Sequence, residues 1–179
     1  MAVHVRRDHS LRVPRPDLSD AAESPSACAA AGCHADRSTS WIATAFVAMY
    51  GDRSRPPRWG PVLAAGRAGQ PAAEQPLAEL ARDEARPAIV RASALELLGG
   101  YSGSAGRRAL EQSLDDPDPL VRATAASHVG AATEEHLVEL LAPLCRDSIR
   151  AVRVAAAERL AGLAPDGACA GALDEAVAA

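Results

Sequence analysis

The sequence predicts an all-α protein, a short solenoid of stacked antiparallel helix pairs preceded by an extended segment. Of the 179 residues, 48% are hydrophobic but only five are aromatic, and alanine supplies much of the apolar share. That composition favours closely packed helices over a sheet sandwich. A helical pattern with a fixed period of 31 residues fills the second half of the chain, as in stacked arrays. Prolines at 14, 16 and 25 disfavour helix in residues 1–27 and predict an extended arm.

Two short elements are predicted between the arm and the repeats. Over residues 36–50 apolar side chains recur at helical spacing and Gly51 follows as a stop, which predicts one amphipathic helix. Residues 52–72 contain four prolines and are predicted to form a linker with a short helix near Pro61.

The repeat is marked by the dipeptide Val-Arg, which occurs at 90–91, 121–122 and 152–153, near the start of a predicted helix each time. An alanine follows four residues after each valine and an apolar residue eight after it, so each of these second helices should bury one stripe. The stripe residues are Ala94, Ala125, Ala156, Leu98, Val129 and Leu160. Glycines stand where a C-terminal cap belongs, at Gly99, Gly130 and Gly162.

The first helix of each pair places a leucine at an equivalent position and an apolar or sulfur-containing residue four later. The predicted core residues there are Leu77, Leu110, Leu141, Ala81, Leu114 and Cys145. An aspartate, Asp116 or Asp147, stands six residues before the arginine of the second and third units, which predicts an Asp–Arg ladder in the turns. The first unit has Ala85 there. The Val-Arg pair, the turn aspartate and the alanine resemble the HEAT-like family of helical repeats.

Composition excludes several classes of function. The net charge of -4 gives no basic field, so no nucleic-acid partner is expected. All nineteen basic residues are arginine, which excludes lysine Schiff-base chemistry and the lysine of a phosphate loop. The longest apolar run, 41–50, is far short of the roughly 20 residues of a membrane span. The first residues are charged where a signal peptide would be apolar, so no export signal is expected in this chain.

One motif carries chemistry: Cys28 and Cys33 are separated by four small residues and followed at once by His34. In the haem attachment motif Cys-x-x-Cys-His, the thiols bind the porphyrin covalently and the histidine ligates the iron. The spacing here is wider by two residues, and the Ala and Gly residues between the cysteines allow the loop to bulge. Two alternatives stay open, a loop with two free cysteines and a zinc site that lacks an evident fourth ligand.

With this motif in place, the chain resembles exported multihaem c-type cytochromes that carry HEAT repeats after their haem motifs. The resemblance covers about residues 3–165 and rests on Arg6–Ser19 before the motif, Cys33–Ser38 with Trp41 after it, and Pro87–Ala92 in the repeats. Chains of that family have further haem motifs and a signal peptide. This chain therefore looks like an internal or C-terminal portion of such a protein.

The resemblance implies a non-enzymatic electron-transfer module with haem c as its cofactor. Cys28 and Cys33 would hold the haem covalently, and His34 would be the proximal iron ligand. His9 would be a distal ligand to this or a neighbouring haem. The implied partners are a redox protein or neighbouring haems, together with a protein bound by the repeats, in the periplasm or another extracytoplasmic space.

The expected organisation is a haem-attachment segment with one helix at 1–51, a linker at 52–72 and HEAT-like repeats at 73–179. The alternative function is a non-haem interaction scaffold with a vestigial haem motif. Nothing in the chain resembles a Ser-His-Asp set, a phosphate loop or a paired-carboxylate active site.

Four further histidine and cysteine residues lie in the second half of the chain. His128 is predicted to lie at the edge of the core and His136 to be solvated at the start of a helix. Cys145 is predicted to be a buried, unreactive thiol, and Cys169, in a last alanine-rich helix, has no predicted role.

Overall fold

A computed structural model describes residues 15–19, 34–51, 59–163, 169 and 171, and every regular element in these ranges is helical. The prediction of an all-α protein is confirmed at this level. The α-helices are α1 Thr39–Tyr50, α2 Gly60–Arg67, α3 Glu74–Arg82, α4 Ala88–Leu98, α5 Ser104–Gln112, α6 Pro119–His128, α7 Glu134–Leu141 and α8 Arg150–Leu160. Short 3-10 turns lie at Pro16–Leu18, Pro71–Ala73, Ser113–Asp115 and Ala142–Arg146. The chain forms two compact units, Met1–Pro56 and Pro57–Ala179.

In the first unit, the described part of the predicted extended arm is a 3-10 turn that packs against α1. Pro16 is the first residue of the turn, where its fixed φ suits a helical start, and it is buried. The Arg15 guanidinium contacts the Asp17 carboxylate at 2.7 Å and holds the pKa of that carboxyl below its ordinary value. A local turn thus replaces extended backbone at this point of the arm.

Helix α1 begins and ends with the residues that its sequence supplies as caps. The Ser38 hydroxyl accepts a hydrogen bond from the Trp41 backbone N–H at 3.1 Å, so the helix begins three residues later than the predicted Asp36. At the other end, Gly51 has φ 77° and donates its N–H to the Val47 carbonyl at 2.8 Å. The predicted stop at Gly51 is confirmed.

In the second unit, α3 packs with α4, α5 with α6 and α7 with α8. The second helices α4, α6 and α8 lie side by side, and α2, which falls within the predicted linker, contacts α3 and α4. All six predicted stripe residues of the second helices are buried, as are all six predicted core residues of the first helices. Alanine at 94, 125 and 156 removes side-chain volume between neighbouring helices and lets their backbones approach closely.

Of the three predicted capping glycines, only Gly162 has a left-handed conformation, with φ 84°. Gly99 caps α4 with an ordinary helical φ of -58°, so its backbone conformation does not require glycine. The lack of space does require it, because a Cβ on Gly99 would lie 2.8 Å from Nδ1 and 3.1 Å from Cβ of His128. His128 itself is half-buried against this glycine, which confirms its place at the edge of the core.

Ion pairs join each helix pair to the next. Arg122 donates two hydrogen bonds to the Asp147 carboxylate, at 2.8 and 3.0 Å, and Arg91 contacts Asp116 in the same two-pronged way. The expected ladder therefore exists, but each carboxylate pairs with the arginine of the preceding unit, 25 residues earlier. The arginine six residues after the aspartate binds its backbone instead: Arg122 donates to the Asp116 carbonyl at 2.8 Å and Arg153 to the Asp147 carbonyl at 2.9 Å.

Cys145 is buried as predicted, but it is not a free thiol: it forms a disulfide with Cys169, which is also buried. The two residues are 24 positions apart in sequence, and their Cα atoms lie 5.2 Å apart, within the normal range for a disulfide. Neither the burial pattern nor the spacing indicated this pair. The bond fixes Cys169 to the turn that precedes α8.

Candidate functional site

His34 is the predicted site residue that the structure describes, and it lies in the turn that leads into α1. Its carbonyl accepts a hydrogen bond from the Arg37 backbone N–H at 3.0 Å, which closes the turn just before the Ser38 cap. The imidazole is exposed and packs against the Trp41 indole, with ring centroids 5.5 Å apart and an interplanar angle of 50°. Neither of its ring nitrogens makes a hydrogen bond to a described residue. The side chain is therefore held by a ring contact while its ligating atoms stay available.

Arg37 approaches the same indole, with its guanidinium carbon 5.1 Å from the ring centroid. Its Nε also lies 3.3 Å from the Asp36 carboxylate, in an exposed ion pair. Trp41 is thus the common contact of one imidazole and one cation, both supplied by the turn before α1.

The remainder of α1 is apolar but little covered. Among the residues of α1, all of which the structure describes, Ile42 is the one buried side chain. Trp41 is 42% exposed and Met49 is 68% exposed. Val47 and Tyr50 are exposed as well. A helix with this much accessible apolar surface is able to receive a large apolar group.

The other predicted haem residues, Cys28, Cys33 and His9, lie outside the described residues, and so do residues 1–14 and 20–33 of the predicted segment. Within the described ranges, no group of three or more His, Cys, Asp or Glu side chains is arranged to hold a metal ion. No helix of these ranges is long and apolar enough to cross a membrane, and the longest, α1, has twelve residues. The expectation of no membrane span is consistent with that finding.

His128 and His136 belong to the second unit. His136 is exposed in the first turn of α7, where Nδ1 lies 3.4 Å from the Glu139 carboxylate, as expected for a solvated residue. His128 lines a small cavity of 240 Å³ together with Tyr101 and Arg107. The Tyr101 hydroxyl donates to the Gln70 carbonyl at 3.0 Å, which holds this lining side chain in place.

A second candidate surface lies on the second helices and had not been predicted residue by residue. A groove of 380 Å³ runs between α6 and α8 and reaches Glu96 of α4. Its lining residues are Glu96, Ala123, Thr124, Ser127, His128, Ala151, Val154, Ala155 and Glu158. Glu96 and Glu158 occupy the same place in the 31-residue period, with Ser127 between them, so the period itself held the signal that could have found this surface.

The electrostatics of the second unit are dominated by the ladder. Hydrogen bonds from Arg122 hold the pKa of the Asp147 carboxyl below its ordinary value, and the Ile149 backbone N–H, 2.8 Å away, adds to that shift. The same pair raises the pKa of Arg122. These shifts mark a structural ion pair rather than a group prepared for proton transfer.

No family model, no curated protein and no solved structure matches the chain. The resemblance to multihaem cytochromes and to HEAT repeats therefore stays a prediction from the residues that carry it.

Proposed function

We propose that this chain is an electron-transfer module of a multihaem c-type cytochrome and carries one covalently bound haem. In this proposal, Cys28 and Cys33 would hold the haem, and His34 and His9 would ligate its iron. The proposal rests on the motif Cys28-x4-Cys33-His34 together with the exposure and contacts of the His34 side chain. Its imidazole is exposed, and its nitrogens make no hydrogen bond to described residues.

The residues present suit such a group. Each cysteine thiol would add across one vinyl C=C bond of the porphyrin, forming a carbon–sulfur bond and passing its hydrogen to the other vinyl carbon, with no electron gained or lost. The Trp41 contact orients the imidazole, and the exposed apolar side chains of α1 offer contact area to a large planar ring. With His34 and His9 both bound to its iron, the haem would supply one-electron transfer rather than substrate turnover.

The second unit is proposed to be a HEAT-like solenoid that binds a protein partner. Three packed helix pairs, a common 31-residue period and the Arg–Asp ion pairs between successive units support this assignment. Arrays of this kind bury their core between neighbouring repeats and leave one layer of helices accessible over a large area.

An extracytoplasmic location is part of the same proposal. The Cys145–Cys169 disulfide supports it, because disulfides persist in oxidising compartments and are rare in a reducing cytosol. The four cysteines then divide into two pairs of different chemistry. One pair is proposed to form thioethers, and the other forms the disulfide.

The test is to express the chain behind a signal peptide in a bacterial strain competent for cytochrome c maturation. Covalent haem is detected by peroxidase staining after denaturing electrophoresis, and by the sharp α band of the reduced spectrum. The double variant Cys28→Ser/Cys33→Ser should lose both signals. The matched double variant Cys145→Ser/Cys169→Ser should keep them, because it makes the same chemical change at the other pair.

His9 has a separate test. If His9 ligates this haem, the variant His9→Ala should convert the reduced spectrum from six-coordinate to five-coordinate. An unchanged spectrum would place the second ligand elsewhere without affecting the assignment of Cys28, Cys33 and His34.

The second candidate function is a non-haem interaction scaffold, and the groove on α4, α6 and α8 favours it. A helical, correctly folded product without covalent haem would reject the electron-transfer module and leave the scaffold as the function.

A further inference from the structure

The outer face of α4 and α6 presents an apolar row at equivalent positions of the period. Ile89 is 62% exposed and Leu120, 31 residues later, is 43% exposed, while Ala151 follows at the same place on α8. Exposed aliphatic side chains of this size on adjacent helices are not explained by the core, which is formed by the opposite stripe. Of this row, Ala151 lines the groove, and Leu120 stands one helical turn before the lining residue Thr124, on the same face of α6, so the row borders the groove.

The middle of this face has little hydrogen-bonding capacity to offer. The Ser93 hydroxyl donates to the Ile89 carbonyl at 2.8 Å, and the Thr124 hydroxyl donates to the Leu120 carbonyl at 2.9 Å. These hydroxyl hydrogens are used within their own helices. With the alanines at 123, 151 and 155, the middle of the face is small and smooth, and it forms the groove between α6 and α8.

The opposite edge is acidic. Glu96 and Glu158 are exposed and line the groove, and neither forms an ion pair with a described residue. The groove therefore combines a small-residue floor with an apolar border on one side and two exposed carboxylates on the other.

We infer that this groove binds an amphipathic helix of a partner protein that has an apolar face flanked by arginine or lysine. Apolar side chains of the ligand would cover Ile89 and Leu120, and its cations would pair with Glu96 and Glu158. Charge complementarity selects this occupant over a second copy of the chain. A second copy would present this same face, and the residues that line its groove include two glutamates and no arginine to pair with them. The inference rests on the scaffold part of the proposed function and names its partner.

The probe is an 18-residue helical peptide of leucine, alanine and arginine, with one leucine face flanked by arginines. A second peptide carries glutamate in place of every arginine. Binding of each labelled peptide to the full chain is measured by fluorescence anisotropy at low and at high salt. We expect the arginine peptide to bind and the glutamate peptide not to bind, with affinity falling as salt rises.

Variants locate the site. Glu96→Gln/Glu158→Gln should weaken the arginine peptide at least tenfold, and Leu120→Ser should weaken it as well. The matched control is Glu134→Gln/Glu139→Gln, which changes the net charge equally on exposed residues of α7 outside the groove. Circular dichroism confirms that each variant is folded.

If both double variants weaken peptide binding equally, the effect comes from net charge alone and the inference is overturned. A stable dimer in sedimentation that the peptide does not dissociate would also overturn it, because a second copy would then cover the groove. Haem staining of the same preparations is independent of peptide binding, so failure here and failure of the electron-transfer proposal are distinguishable.

Discussion

Replacing Arg122 by alanine should be among the most destabilising single changes in the second unit. The substitution removes two hydrogen bonds to the Asp147 carboxylate, at 2.8 and 3.0 Å, and the bond to the Asp116 carbonyl at 2.8 Å. The two side chains of the pair are only 15% and 10% exposed, so Asp147 would be left as a largely buried charge. Breaking a buried pair from one side costs about 3–5 kcal/mol.

We expect the lower end of that range, about 3 kcal/mol, because Asp147 keeps its hydrogen bond from the Ile149 N–H. Urea unfolding followed by circular dichroism measures the difference, which corresponds to a fall of roughly 10 °C in Tm for a domain of this size. Arg108→Ala is the matched control. Arg108 is exposed and makes no ion pair with described residues, so its change should stay within about 0.5 kcal/mol.

The pH dependence gives an independent check on the same pair. The folded-state pKa of Asp147 is lowered by Arg122, so the pair contributes its stability above the unfolded pKa, about 4. That contribution is lost as the pH falls below 4 through the lowered folded value. The stability gap between wild type and Arg122→Ala should therefore be full at pH 7 and shrink in acid. A gap below 1 kcal/mol at pH 7, or one that grows in acid, would refute the reasoning.

Three other predictions address packing, crosslinking and capping. Gly99→Ala should destabilise the chain by about 1–3 kcal/mol, because the new Cβ would clash with His128. In a double-mutant cycle, His128→Ala should recover most of that loss, and equal losses with and without His128 would contradict the clash. Removing the disulfide, by Cys145→Ser/Cys169→Ser or by reduction of the wild type, should lower the free energy of unfolding by about 3 kcal/mol, the value expected for a 24-residue separation. The loss is measured as a fall in Tm, and a reductant should have no effect on the Tm of the double variant. Glu74→Ala should cost about 1 kcal/mol in urea unfolding, because the Glu74 carboxylate accepts the Gly106 N–H at 2.9 Å in the first turn of α5; an unchanged stability would show that solvent replaces this cap.

The period in the sequence located the buried face of the second unit well. In each of the three repeats an alanine, such as Ala125, stands four residues after the valine of the Val-Arg pair. A position that is small and apolar in every repeat is expected to face a neighbouring helix. Helix ends were predicted less accurately where a capping side chain sets them. Helix α1 begins after the Ser38 cap, which follows a turn closed by the His34 carbonyl. The apolar spacing could not show this, because residues 34–38 contain a single apolar side chain, Ala35, and so do not mark where the helix begins.

The candidate sites divide in the same way. The Cys28-x4-Cys33-His34 motif is local, so its residue types can be read directly, and its proposed haem chemistry rests on the sequence together with the exposed state of His34. The groove is not local. Glu96 and Glu158 are two periods apart, and only the side-by-side packing of α4, α6 and α8 brings them to one surface.

By itself, the sequence determined the all-α class, the core stripe of each helix in the repeats and the motif at 28–34, because each depends on spacing along one segment. Only the tertiary structure decided that Asp116 and Asp147 pair with the arginine of the preceding unit, that Cys145 is bonded to Cys169, and that His128 excludes a side chain at 99. These contacts join residues about 24 to 30 positions apart. Local propensity and periodicity fix which face of a helix is buried, whereas partner choice across helices depends on how the helices pack.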